Sequence, residues 1–294
     1  MKRIILPTDF SEAAQSAHGA ALTLADAQDA KIILLHAFTP PEVFAEAGTI
    51  YMEQQMQRLQ DDVDQRLKEL VTTLREQAPD IEIEPRSAVG FPADVICQIA
   101  GEEVASMIVM GTQGASGLKK LLLGSVAARV IEAAPCPVLA IPEREGDFAV
   151  KRIVYATNYQ SEELEALRRI SAIAAPFDAE VVVLHVADNE EELLDEVFSW
   201  YKTLVEQELE YPKLRFELLP PAPLQDALNA YVGDCSADML AMSKRQRGLL
   251  GRLFGSSESK QMAYHCKCPL LVFHTENLIT VDTESQASLQ GLIA

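Results

Sequence analysis

Basic residues are scarce in this chain: Lys and Arg number 25 against 44 Asp and Glu, for a formal net charge of −19. Non-specific attachment to nucleic acid or to an anionic membrane depends on phosphate contacts, so this balance opposes both classes of function. Long hydrophobic runs are also missing. No apolar segment approaches the length of a bilayer span, and Met1-Lys2-Arg3 leads into a strand pattern without a secretory apolar core, so a cytoplasmic protein is expected. The five cysteines, Cys97, Cys136, Cys235, Cys266 and Cys268, are odd in number and lack the spacing of a disulfide framework, and reduced thiols are expected. Nor does the sequence offer a nucleophile paired with a general base, or an arginine finger for phosphoryl transfer.

Apolar residues make up 48% of the chain, enough for two cores. The most informative segment runs from Gly111 to Ser125, where glycines follow the apolar run Met107-Ile108-Val109-Met110 and lead into a helix-like stretch, Val126 to Ala134. Strand, glycine loop and helix together form a candidate phosphate cradle: glycine lets the backbone approach an anion, and a helix N-terminus offers unpaired N–H groups and positive dipole. A plain βα turn has the same glycines. Ser125 is either the N-cap of the helix or a phosphate donor. Lys119 and Lys120 either face water or pair with phosphate.

The chain also repeats itself. Lys2-Arg3-Ile4-Ile5-Leu6-Pro7-Thr8-Asp9 is matched by Lys151-Arg152-Ile153-Val154-Tyr155-Ala156-Thr157-Asn158, and Ile32-Ile33-Leu34-Leu35-His36 by Val181-Val182-Val183-Leu184-His185, at the same offset. Gly124-Ser125 recurs as Gly255-Ser256, and Cys136-Pro137-Val138-Leu139 as Cys268-Pro269-Leu270-Leu271. The polar stretch Glu143 to Asp147 divides the copies, giving domains at 1–146 and 147–278 and a weakly patterned tail at 279–294. Each copy alternates β-branched runs with helical patterns, which reads as α/β with an open, mostly parallel five-stranded sheet flanked by helices. Strands are expected near 3–8, 31–37, 81–88, 106–110 and 137–141, then near 151–156, 180–186, 214–219, 238–242 and 269–273. Helices are expected near 11–28, 42–77, 92–102 and 125–134, with Ser11 as an N-cap and Pro92 in a first turn. Met52, Met56, Leu59, Val63, Leu67, Leu70 and Leu74 form a core-facing stripe, and Trp200 and Tyr201 are the larger anchors of the shorter counterpart helix.

The spacing Gly111-x2-Gly114-x9-Gly124-Ser125, with Pro7-Thr8-Asp9 after the first strand and Cys136-Pro137-Val138 before the last, resembles the ATP-binding signature of the universal stress protein family. The resemblance covers nearly the whole chain as a tandem, two-domain member. It implies two Rossmann-like domains packed as an intramolecular pseudo-dimer, with Val138–Ile141 pairing with Leu270–Phe273. It further implies adenosine contacts from Pro7, Thr8 and Asp9 and an adenine contact at Ala37, with Gly90 at the neighbouring strand end. Met110, Gly111, Gln113 and Gly114 then line the ribose and phosphates together with Gly124, Ser125, Val126 and Ala127. For Asp9 the local alternative is a cap or turn bond.

The second copy departs from this pattern. Asn158 stands for Asp9, Ser243 for Gly111, and Pro220-Pro221 for the region of Gly90. Arg245, Arg247 and Arg252 either bind another anion or decorate a degenerate pseudo-site. His265-Cys266-Lys267-Cys268 invites a zinc reading, but Cys268 repeats Cys136 before a strand, so no metal site is assigned. His36 and His185 recur in both copies and are read as structural. The resemblance therefore implies a stress-response protein that binds ATP, with magnesium, in the first domain alone and switches conformation or an unidentified protein partner, as a monomer or a homodimer of tandem chains. A slow ATP hydrolase or phosphotransferase and a nucleotide-independent scaffold are the alternatives.

Overall fold

The computed structural model describes residues 1–39, 49–112, 123–143, 148–160, 163–187, 194–244 and 268–274, with the backbone alone for 49–52, 194, 195 and 244. The first repeat runs β1 (Lys2–Pro7), α1 (Glu12–Gln28), β2 (Ala30–Phe38), α2 (Thr49–Gln77), β3 (Ile83–Val89), α3 (Pro92–Glu102), β4 (Met107–Gly111), α4 (Ser125–Ala133) and β5 (Val138–Ile141). The second runs β6 (Arg152–Ala156), α5 (Leu164–Ala174), β7 (Glu180–Val186), α6 (Leu194–Glu208), β8 (Leu214–Leu219), α7 (Leu224–Asp234), β9 (Met239–Lys244) and β10 (Leu270–His274). Among the described residues no helix is long and apolar enough to cross a membrane.

The two five-stranded sheets expected from sequence form one continuous sheet in the order β3-β2-β1-β4-β5-β10-β9-β6-β7-β8. Every pairing within a repeat is parallel. The seam is antiparallel, with Leu270 opposite Ala140, Leu271 opposite Leu139 and Val272 opposite Val138. Strand alternation sorts the side chains into two layers. Ile4, Leu6, Ile32 and Leu34 pack with Leu24 of α1 and Leu67 of α2. Ile5, Ile33, Leu35 and Met110 pack with Ile96 of α3 and Val130 of α4. Both layers continue across the seam, through Leu139 and Leu271 on one face and Val138 and Val272 on the other.

Local chemistry sets the element ends. Ser11 Oγ accepts the Ala14 N–H at 3.2 Å and caps α1, while Asp29 closes it in the left-handed region at φ 49°. Pro92 sits in the first turn of α3, where its missing N–H costs nothing. On α2, Val63, Leu67, Val71 and Leu74 are buried, and Met56, Leu59 and Leu70 pack partly against the same layer. Val71 joins the expected stripe because it follows Leu67 by four residues and shares its face; the Met52 side chain lies outside the described residues. Trp200 corrects the sequence reading: it is 42% exposed, whereas its neighbour Tyr201 is fully buried. Successive helical residues point about 100° apart, so the two rings cannot both face the core.

Candidate functional site

In the first repeat the strand order reverses between β1 and β4, and parallel sheets bind ligands in the crevice outside the carboxyl ends at such a point. Pro7, Thr8, Asp9, Ala37, Gly90, Met110 and Gly111 all lie at those ends of β1 to β4. Gly124 is joined to them by its N–H, which donates to the Thr112 carbonyl at 2.6 Å and brings the start of α4 over the end of β4.

The turn after β1 is closed by its own side chains. The Thr8 N–H continues the sheet ladder to the Leu35 carbonyl at 2.8 Å, and the Phe10 N–H donates to Thr8 Oγ1 at 3.0 Å with Phe10 in the left-handed region at φ 62°. The exposed Asp9 accepts the Ser11 N–H at Oδ1 (3.0 Å) and also the Ser11 hydroxyl, so it performs the local turn role. Beneath it, His36 donates from Nδ1 to the Thr8 carbonyl at 2.7 Å and lies 4.6 Å from the Phe10 ring. Burial lowers the His36 pKa against the opposing effect of that hydrogen bond. Arg66 stands over the outer face of the Phe10 ring at 4.1 Å.

On the other face of the sheet, Ala37 pairs with Ala88 across β2 and β3. Both are partly buried against the layer that holds Met110, Leu123, Val126 and Ala127. Two methyl side chains thus stand side by side at the carboxyl ends of β2 and β3. Ala88 was not singled out in the sequence, because its importance comes from register. Gly90 turns the chain out of β3 at φ 149°, and a Cβ there would lie 2.8 Å from Val95.

The glycine at 111 has a packing cause in addition to the one its motif suggests. A Cβ on Gly111 would lie 2.5 Å from the Ala13 carbonyl oxygen and 3.4 Å from the Ala14 Cα. The hydrogen in place of a side chain allows α1 to pack on β4; it faces the helix of the first crossover. The N-cap of α4 is Gly124, not Ser125, and no side chain caps it; exposed Ser125 occupies the first helical position. Among the described residues no side chain caps this turn, and the first N–H groups of a helix so finished suit an outside acceptor. Gln113, Gly114, Lys119 and Lys120 lie outside the described residues.

The second repeat keeps the frame and alters the crevice. Thr157, Tyr159 and His185 reproduce Thr8, Phe10 and His36: the Tyr159 N–H reaches Thr157 Oγ1 at 3.0 Å, Tyr159 sits at φ 60°, and His185 Nδ1 donates to the Thr157 carbonyl at 2.7 Å. The duplication of this brace supports the structural reading of both histidines. Asn158 replaces Asp9, and buried Glu163 takes over the turn, accepting from the Thr157 hydroxyl at 2.6 Å and from the Asn158 and Gln160 N–H groups at 3.2 and 3.4 Å. Ser243, in the place of Gly111, is buried and hydrogen-bonded to the Tyr155 hydroxyl at 2.7 Å. The Ala37–Ala88 pair becomes Val186–Leu219. Arg245, Arg247, Arg252, Gly255, Ser256, His265 and Cys266 lie outside the described residues. Cys268 is buried, with its thiol directed at the Ala237 carbonyl at 3.5 Å.

Known proteins agree with this architecture. The model of the universal stress protein family matches residues 1–142 and again residues 149–274. A universal stress protein of Methanocaldococcus jannaschii is 32% identical over 146 residues, covering 49% of this chain and 85% of that protein. The crystal structure of a universal stress protein from Archaeoglobus fulgidus superposes with a TM-score of 0.72 at 18% identity, over 93% of this chain and 98% of its own. A universal stress protein solved in complex with cAMP matches 48% of this chain and 96% of its own at 26% identity, with a TM-score of 0.36. With two matches that together span both repeats, the chain belongs to the universal stress protein family.

Proposed function

We propose that this chain binds one adenine nucleotide, ATP as its magnesium complex, in the crevice of the first repeat, and that occupancy switches its conformation or its hold on a protein partner. The carrying observation is the contrast at the strand ends: Ala37 beside Ala88 in one repeat, Val186 beside Leu219 in the other. A flat base fits against two methyl groups; the larger pair fills that space. In this reading Pro7, Thr8 and Asp9 hold the adenosine, Ala37 and Gly90 border the base, and Met110, Gly111, Gln113 and Gly114 follow the ribose and phosphates to Gly124, Ser125, Val126 and Ala127. Bound triphosphate supplies negative charge to the uncapped N-terminus of α4, an arrangement that a helix dipole favours. No residue is assigned a part in turnover, and the switch rests on differential affinity of ATP for two states.

Titration calorimetry with magnesium-ATP tests the reading. Wild type takes up about one ATP per chain, and the double variant Ala37→Val, Ala88→Leu, which copies the second repeat, binds at least about tenfold more weakly while keeping its far-ultraviolet circular dichroism, as filling a pocket with unsuited bulk does. Gly114→Arg abolishes binding. Equal binding by wild type and the double variant rejects the Ala37–Ala88 pair as the base site. Stoichiometry near two rejects the one-site assignment. Amide protection in residues 113–122 that is indifferent to ATP rejects the switch.

A further inference from the structure

One hydrogen bond runs from the last strand of the second repeat into the helix that borders the candidate site of the first. Nε2 of His274, the final residue of β10, donates to the Ile131 carbonyl at 2.8 Å. Ile131 is in the last turn of α4, and its carbonyl would ordinarily accept the N–H four residues on. That residue is Pro135, which has none. The helix is otherwise sparsely finished: its N-cap glycine supplies no side chain, its C-cap Ala134 is extended rather than left-handed, and its last turn holds no basic residue. The position equivalent to His274 in the first repeat is Pro142, which carries no donor, so that position cannot return the bond.

We infer that His274 is a positioning residue for the nucleotide site: by closing the C-terminal end of α4 from across the seam, the second repeat fixes where the N-terminal end of that helix meets the phosphates. The inference rests on the one-site reading above and gives the degenerate repeat a task in it. A helix of nine residues is about 13 Å long and moves as one body, so a restraint on its last turn is felt at its first. In the one-site reading the phosphates meet the N-terminal end of α4, whereas the base lies against β2 and β3 and the adenosine is held at the turn after β1. Loss of the restraint therefore weakens ATP and leaves adenosine alone.

The test is calorimetry of full-length wild type, His274→Phe and His274→Gln with magnesium-ATP, and with adenosine by competition. His274→Phe is expected to bind ATP about fivefold more weakly, the scale of one lost hydrogen bond, with adenosine affinity unchanged. His274→Gln, whose amide can donate to the same carbonyl, recovers most of the loss. Unchanged ATP affinity in His274→Phe, or equal losses for ATP and adenosine, overturns the inference and leaves the one-site reading standing. A wild type that binds no ATP overturns the one-site reading itself, and this inference with it.

Discussion

A single hydrogen atom at position 111 decides how closely α1 can approach β4. Replacing Gly111 by alanine drives a methyl group to 2.5 Å from a backbone oxygen that cannot rotate away. We expect Gly111→Ala to lower stability by about 1–3 kcal/mol, the usual cost of overpacking, read as a shift in urea midpoint with an unchanged slope. His18 presents the complementary case, a titratable ring buried in α1 whose Nε2 finds no hydrogen-bond partner among the described residues. Burial lowers its pKa from the ordinary 6.5. The unfolded chain therefore binds the proton first as pH falls, so stability is full above 6.5 and declines from there down to the lowered value. Thermal midpoints measured between pH 8 and 5 should fall with acid, and His18→Leu should flatten part of that slope.

At the scale of elements, the two repeats solve one problem with different residues. The turn after β1 is held by Asp9 and Ser11 at the surface, and the turn after β6 by a carboxylate reaching in from Glu163. Removing that carboxylate strands the Thr157 hydroxyl and two N–H groups, so Glu163→Ala should cost about 3 kcal/mol in a urea or thermal unfolding measurement. Most elements are legible in the sequence because their period is strong: β-branched runs gave the strands to within a residue or two, and Ser11 and Pro92 announced their helices. The misses have physical reasons. Trp200 follows the composition of an anchor yet falls on the wrong side of its helix, and Ser125, for which the cap was one of two expected roles, yields it to Gly124, whose N–H donates to the Thr112 carbonyl and holds the glycine at the turn. Glu163 reads as an ordinary helix-start acid until the fold buries it. Ala88 gains meaning only through the register that sets it beside Ala37, and the seam between β5 and β10 was expected through family resemblance and not from pattern.

For the whole molecule the relevant fact is that both hydrophobic layers cross the seam. The two halves should therefore unfold together. The chain contains one tryptophan, Trp200, which reports on the second half, while circular dichroism reports on both. Coincident urea transitions by the two probes are expected, and separated midpoints would mean that the halves are independent. The outer edges of the sheet belong to β3 and β8; Pro85 with Glu84 and Arg86 on one, and Arg215 with Glu217 on the other, discourage further strand addition. The seam also carries a consequence for heredity. When two identical chains meet edge to edge, every substitution appears on both sides of the axis, and a crevice cannot be lost from one without being lost from the other. Here the axis lies inside one polypeptide, so Val186 and Leu219 can stand in one crevice where Ala37 and Ala88 stand in the other, and selection can act on each half of the molecule separately.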